Sequence, residues 1–189
     1  RRFDRAGVEV FLSDVDIPAA RETVRLCDAG TRVHLDEVDV SDADAVTAYA
    51  DAVVDRSGPP AMVFNNAGIT MVAGILEEDD DYARRIMAVN LGGVVNGTVA
   101  FLPHLQAAGG GSIVNTSSAF GFLGCPTQSA YSASKFAARG YSETMQQQLR
   151  SEGSDVRVHS IHPGVVHTEI AARALYVTPG VRDFVTRGF

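Results

Sequence analysis

Tyr131 and Lys135 stand four residues apart in the stretch Ser129-Ala130-Tyr131-Ser132-Ala133-Ser134-Lys135, whose surroundings read as helix. At that spacing both side chains share one helix face. A phenol with a free pKa of about 10 is a poor acid or base near neutrality, and a fixed cation beside it favours the phenolate and lowers that value. Tyr131 is therefore a candidate general acid/base, tuned by Lys135. Composition adds weight, because Lys135 is the only lysine among the 16 Lys and Arg residues. So short a motif also arises wherever a surface lysine stands beside a packing tyrosine, and its value depends on what accompanies it.

The elements that would position this pair follow from chain patterning. Gly7 ends a helical stretch over Arg1 to Ala6, and Val8 to Leu12 is a strand leading to Asp14. Pro18 opens a helix to about Cys27, closed by Gly30, and Thr31 to Leu35 is the next strand. Ser41 is expected to cap a helix from Asp42 to about Arg56, broken by Gly58-Pro59-Pro60. Ala61 to Phe64 is a short apolar strand running into Asn65-Asn66-Ala67-Gly68. The acidic run Glu77 to Asp81 suits a helix N-terminus, and one long helix is expected from there through Asn90 to Leu105. Gly92, Gly93 and Gly97 lie along it. Each costs about 1 kcal/mol relative to alanine, so either another backbone comes close or the helix gives way to a loop. Ser112 to Thr116 is a strand followed by Ser117-Ser118. After the Tyr131 helix, Asp155 to Ile161 is a strand ending at His162-Pro163-Gly164. The tail from Thr168 is weakly helical.

Apolar strands alternating with helices predict a parallel sheet covered on both faces, a doubly wound, Rossmann-like α/β fold in one domain over residues 1–189. Ligands bind such sheets outside the carboxyl ends of the strands. Asp14, Asp39, Asn65 to Gly68, Ser117-Ser118 and Pro163-Gly164 all fall at such ends. A net charge of −7 with no basic run argues against nucleic acid and anionic membranes and for a small-molecule partner. Cys27 and Cys125 form no C-x-x-C, so neither a disulfide framework nor a metal site is indicated. No apolar run approaches 18 residues and no signal-peptide pattern opens the chain. A reducing, cytoplasmic setting is the expectation. Arg1 falls inside a helical pattern, so a preceding segment is expected.

Asn65-Asn66-Ala67-Gly68 after a strand, Asn90 in a helix, Ser118 after a strand, Tyr131 with Lys135, and Pro163-Gly164 with Thr168 resemble the short-chain dehydrogenase/reductase family, in its single-domain branch, from about Val8 to Thr168. The resemblance implies a nicotinamide-dependent oxidoreductase acting on a secondary alcohol or ketone. Tyr131 would exchange the proton with the substrate oxygen, and Ser118 would hydrogen-bond that oxygen. Lys135 would lower the tyrosine's pKa and bind the nicotinamide ribose. Asn90 would hold a water completing a proton relay, although a buried Asn also serves simply to satisfy neighbouring backbone. Asn66, Ala67 and Gly68 would pass the adenosine side, with Gly68 allowing close approach. Asp39 and Val40 would flank the adenine, unless Asp39 only forms a turn. Pro163, Gly164 and Val166 would meet the nicotinamide amide, with Thr168 as a side-chain contact. Asp14 would hold the adenosine ribose hydroxyls and, with Val15 after it, favour NAD over NADP, unless it caps the helix opened by Pro18.

The family's Gly-rich pyrophosphate loop with its first strand, and its last strand, are absent from the pattern. The Val8 and Ala61 strands are accordingly expected not to pair directly. His162 and His167 read as packing or hydrogen-bonding residues. Phe120, Phe122, Leu123 and Val165 to Ile170 are expected to border an apolar substrate pocket. Gly92, Gly93 and Gly97 on one helix and Ala133, Ala137 and Gly140 on the other suggest faces for a homodimer or homotetramer, as is common in the family. Two other functions compete: a catalytically silent nucleotide-sensing domain of the same fold, and an epimerase or dehydratase of the family's extended branch.

Overall fold

The computed structural model describes residues 6–27, 32–164, 166 and 168–178. The strands form where the apolar runs lie, and their pairings are parallel. β1 (Val10–Asp14) pairs with β2 (Val33–Glu37), and α1 (Ile17–Arg25) joins them. After α2 (Ala43–Ser57) comes β3 (Met62–Asn65), then a short β4 (Met71–Val72). A continuous helix follows as α3 (Asp80–Met87), a π turn over Ala88–Gly92 and α4 (Gly93–Ala107). β5 (Gly111–Thr116), α5 (Ser129–Ser151), β6 (Val156–Ile161) and a short β7 (Leu175–Tyr176) complete the order.

β3, β5 and β6 are successive neighbours, in register at Asn65 with Asn115 and Thr116 with Ile161. β1 and β3 belong to separate ladders, as the strand order anticipated. The carboxyl ends of β3, β5 and β6 therefore open on the same side, which brings Asn65 to Gly68, Ser117-Ser118 and His162 to Gly164 together. The core joins Val46, Ala50 and Val53 of α2, Phe101 and Leu105 of α4, Val63, Ile113 and Val156 of the strands, and Leu149 of α5. Leu105 and Ile113 are fully buried, and truncating either to alanine would cost about 2–5 kcal/mol. This buried seam fixes the sheet against α5.

Several local expectations need correction. The first strand lies two residues later than the pattern placed it and includes Asp14. α1 ends at Arg25 rather than Cys27; Gly30, Thr31 and the stretch Arg1 to Arg5 lie outside the described residues. The cap of α2 is Asp42, whose carboxylate accepts from Asp44 N and Ala45 N, because Ser41 is taken by Asp39. Asp79 caps α3 through Tyr82 N. After Thr168 the chain makes a turn closed by Arg173 N on Glu169 O and then forms β7, which pairs with β4; residues 179–189 lie outside the described residues. The helix from Asp80 to Ala107 is by length and composition apolar enough to cross a membrane, and Val94, Phe101 and Leu105 account for that apolarity by packing inside.

The glycines of α4 also face a different way from that expected. A Cβ on Gly93 would lie 2.7 Å from Val40 Cγ2, and one on Gly97 would lie 2.0 Å from Asn65 Oδ1. Both glycines are buried against side chains of the same chain, so neither supplies a face for a second copy.

Candidate active site

α5 carries Tyr131 and Lys135 in its first two turns, and β5 delivers Ser118 just beyond its carboxyl end. Lys135 is only 2 % exposed and donates from Nζ to the Thr116 carbonyl at 2.9 Å. Burial without an anionic partner brings its pKa down to about 8. Its Nζ lies 5.6 Å from the centre of the Tyr131 ring. The two residues share one helix face as the spacing predicts, but the electrostatic balance differs from expectation. Burial pushes the Tyr131 pKa up, and a hydrogen bond with the Ser118 hydroxyl draws it only partly back. Burial of the phenol itself is the larger cause.

Ser118 is held as firmly as its partners. Its hydroxyl accepts from Phe120 N at 3.1 Å, which starts the tight turn Ala119–Gly121. Pro163 O accepts from Ala119 N at 2.9 Å, and His162 Nδ1 lies 3.3 Å from the Ser118 carbonyl. The His162 ring also meets Phe122, with centroids 4.3 Å apart. His162 is thereby a packing and hydrogen-bonding residue; His167 and Val165 lie outside the described residues. Ser117, singled out in the sequence only as part of the Ser117-Ser118 strand end, donates to the Lys135 carbonyl at 2.8 Å and bolts this turn to α5. Gly121 is needed there, since a Cβ on it would come 2.4 Å from Ser117 Oγ.

Asn90 sits in the π turn, fully buried. Its Oδ1 accepts from Ile69 N at 2.9 Å, and its Nδ2 donates to Ile69 O at 3.0 Å and to Ser134 Oγ at 2.9 Å. The side-chain amide of Asn90 satisfies neighbouring backbone at Ile69. The widened turn lets this amide reach both the β3–β4 connection and α5. Ser134, its partner, carries no separate signal in the sequence.

The residues expected at a dinucleotide are spread along the neighbouring strand ends. Asn65 turns into the core, donating to Asn115 Oδ1 at 2.8 Å and to Thr98 Oγ1 at 3.3 Å. Asn66 Oδ1 accepts from Thr116 Oγ1 at 3.2 Å. Ala67 is exposed, and a Cβ on Gly68 would stand 3.4 Å from both Asn90 Oδ1 and Lys135 Nζ. Asp14 is exposed and accepts from Asp16 N at 2.9 Å. It is not the helix cap, a role that Asp16 fills through Ala19 N. Asp39 forms the turn envisaged as its alternative, accepting from Ser41 Oγ at 2.7 Å and Ser41 N at 2.9 Å, bonds that hold its pKa below the ordinary value. The Val40 carbonyl accepts from Asn96 Nδ2 at 2.9 Å. Gly164 is exposed, Val166 is 58 % exposed, and Thr168 Oγ1 accepts from Ile170 N at 3.4 Å.

The chain is 46% identical over 167 residues to SadH of Mycobacterium tuberculosis, which carries an oxidoreductase name; the match covers 88% of this chain and 60% of that protein. Among solved structures, a short chain dehydrogenase/reductase from Burkholderia phymatum in complex with NAD superposes with a TM-score of 0.85 at 34% identity, covering 90% of this chain and 62% of that one. An alcohol dehydrogenase from the archaeon Thermococcus sibiricus complexed with 5-hydroxy-NADP gives 0.82 at 25% identity, covering 98% and 81%. The chain thus spans about three fifths of the length of SadH. The short chain dehydrogenase family matches residues 1–175, and the chain belongs to that family.

Proposed function

We propose that this protein is an oxidoreductase that interconverts a secondary alcohol and its ketone, with a nicotinamide dinucleotide as hydride carrier and Tyr131 as general acid/base. The observation that carries this reading is that Ser118, just beyond the carboxyl end of β5, hydrogen-bonds the Tyr131 side chain, with Lys135 Nζ 5.6 Å from the centre of the same ring. The surroundings fit a dinucleotide. Ala67 and Gly164, both exposed, follow the carboxyl ends of β3 and β6, where such ligands bind, and exposed Asp14 ends β1. Lys135 has three N–H donors and spends one on Thr116 O, leaving donors for ribose hydroxyls. The bound dinucleotide supplies the hydride chemistry. Asp14 and the Asn66 to Gly68 turn would hold its adenosine side, and Pro163, Gly164, Val166 and Thr168 its nicotinamide side. The two solved relatives hold NAD and an NADP derivative respectively, and the exposed Asp14 carboxylate favours NAD.

Within this reading, the raised Tyr131 pKa keeps the phenol protonated near neutrality. It can therefore donate its proton to a ketone oxygen that the Ser118 hydroxyl holds in place. The substrate is hydrophobic: Phe122 and Leu123 beside Ser118 are 53 % and 56 % exposed. Exposed Phe136 on α5 and Val99 on α4, with Ala133 and Gly140, leave an apolar exterior through which copies of the chain would associate.

The test is to mix the full chain with NAD and a panel of secondary alcohols and follow nicotinamide absorbance. Tyr131→Phe is expected to remove nearly all turnover, about a thousandfold or more, while cofactor affinity changes little. A silent nucleotide-binding domain would bind NAD without reducing it, and an epimerase or dehydratase would release no reduced cofactor. A phenylalanine variant with a tenth or more of the normal turnover would overturn the assignment.

A further inference from the structure

The helix that carries Tyr131 begins without a cap of its own. Gln128 occupies the N-cap position and makes no side-chain capping bond, although the first N–H groups of any helix have no partner within it. The missing acceptor comes from another part of the chain. Glu78 Oε1 accepts from Ser129 Oγ at 2.7 Å and from Ala130 N at 3.1 Å, across 51 and 52 residues of sequence. A carboxylate at this end also meets the positive pole of the helix.

The same loop holds the chain just before the helix. Thr127 has a φ of +66°, in the left-handed region that a β-branched residue rarely adopts. Its carbonyl accepts from Ala73 N at 2.9 Å. Glu77, beside Glu78, accepts from Thr178 Oγ1, which in turn accepts from Gly74 N at 2.8 Å. The loop between β4 and α3 is thus braced on both sides, and it presents Glu78 to α5 from a fixed position. Tyr131 stands one residue beyond Ala130, inside the turn that Glu78 closes.

We infer that Glu78 is a positioning residue for Tyr131: its carboxylate locks the first turn of α5 so that the phenol stays against Ser118. This inference rests on Tyr131 being the proton carrier. A turn free to fray would let the phenol depart from Ser118 without loosening Lys135, which sits one turn deeper and is bonded to Thr116 O. The expected signature is a loss in turnover with little change in cofactor binding.

Three variants in the full chain test it, with NAD and 2-octanol as substrates and amide hydrogen exchange at Ala130 as a second readout. Glu78→Ala is expected to lower kcat roughly ten- to a hundredfold with KM for NAD within about twofold, because small misplacements of a reacting group cost that much. Exchange at Ala130 N is expected to speed up by about tenfold or more as the capping bond is lost. Glu78→Gln keeps an oxygen that can accept both bonds, and is expected to restore both quantities to within about threefold of the wild type. Glu78→Asp, one methylene shorter, retains the charge and guards against a misfolded alanine variant; it is expected to fall between the two. Faster exchange with unchanged kcat, a kcat loss with unchanged exchange, or an aspartate variant that works while the glutamine variant does not would each overturn the inference. Tyr131→Phe serves as the reference. If it is inactive while Glu78→Ala is unaffected, only the role of Glu78 fails; if it remains active, the proposed function fails first.

Discussion

The two halves of the proposed site are built in opposite ways. Around Ser118, Tyr131 and Lys135 the polar groups are buried and bonded to backbone of distant elements: Lys135 to Thr116 O, Ser117 to Lys135 O, Asn90 to Ile69 and Ser134. At the ends of β1 and β2, Asp14 and Asp39 are exposed and bonded to near neighbours, Asp14 to Asp16 N and Asp39 to Ser41. Buried polar groups must find partners or carry a desolvation cost, so the first half is already fixed in the protein alone. The second half relies on short turns that hold carboxylates and backbone at the surface, ready for contacts the protein does not make by itself. Mutations should therefore change turnover and folding energetics in the first half, and ligand choice in the second.

After Tyr131→Phe, the largest effect is expected at Lys135. Lys135→Met should lower kcat by about a hundredfold or more, since the ammonium supports the proton carrier. Its stability signature is sharper. The folded-state pKa is about 8, against a reference of 10.5. Between those values the unfolded chain binds more protons than the folded one, so stability rises with pH across that window. Relative to Lys135→Met, the wild type should gain about 2 kcal/mol between pH 7 and pH 9.5. Denaturant titrations of both proteins over that range provide the measurement, kept below the ionisation range of tyrosines such as Tyr49, whose pKa burial raises to about 12. Equal pH dependence in the two proteins would mean that the lysine is better solvated than its 2 % exposure implies.

A second effect separates the buried root of the dinucleotide side from its exposed tip. Gly97→Ala places a methyl carbon where Asn65 Oδ1 stands, 2.0 Å away. Accommodating it must displace the amide that bonds Asn115, Thr98 and the Val94 carbonyl. The expected net cost is about 1–3 kcal/mol, after about 1 kcal/mol returned by alanine's better helix propensity. Gly92→Ala is the control, because the atom nearest to its Cβ is a carbonyl at 3.8 Å; it should be neutral or slightly stabilising. Thermal unfolding of both variants distinguishes them, and equal midpoints would show that Asn65 moves aside at no cost.

These contrasts track what could be read from the sequence. Periodicity and breakers located the strands and the long helices, and spacing alone put Tyr131 and Lys135 on one face. Ser118 and the strand-end residues became readable through the family pattern. What stayed hidden depends on direction or on distance in sequence. A glycine has no side chain whose polarity reports the inside of a helix, so Gly93 and Gly97 could be taken for an outer face. Ser41 and Asp42 are both good caps, and only the competing Asp39 carboxylate decides between them. Glu78 lies 51 residues from Ser129, and β7 is two residues long, too short for any periodic signal. The rise rather than fall of the Tyr131 pKa followed from burial, which the i to i+4 spacing does not encode.

The smallest expected effect concerns choice of cofactor rather than rate. Asp14 ends β1 on the proposed ligand side, and one of its oxygens accepts from Asp16 N. The other remains to accept from a ribose hydroxyl, while a phosphate on that ribose would meet a carboxylate. Asp14→Asn preserves an oxygen for Asp16 N, so the turn should persist and thermal stability should hardly change. It removes the charge, and with it the repulsion of a 2′-phosphate. The ratio of kcat/KM for NAD to that for NADP should then fall by about tenfold, or about 1.4 kcal/mol, through KM rather than kcat. Steady-state kinetics with both cofactors at fixed alcohol concentration measures this ratio. A fall in kcat with both cofactors alike would place Asp14 among the residues that build the site instead of those that select its ligand, and the division between the two halves would have to be redrawn at β1.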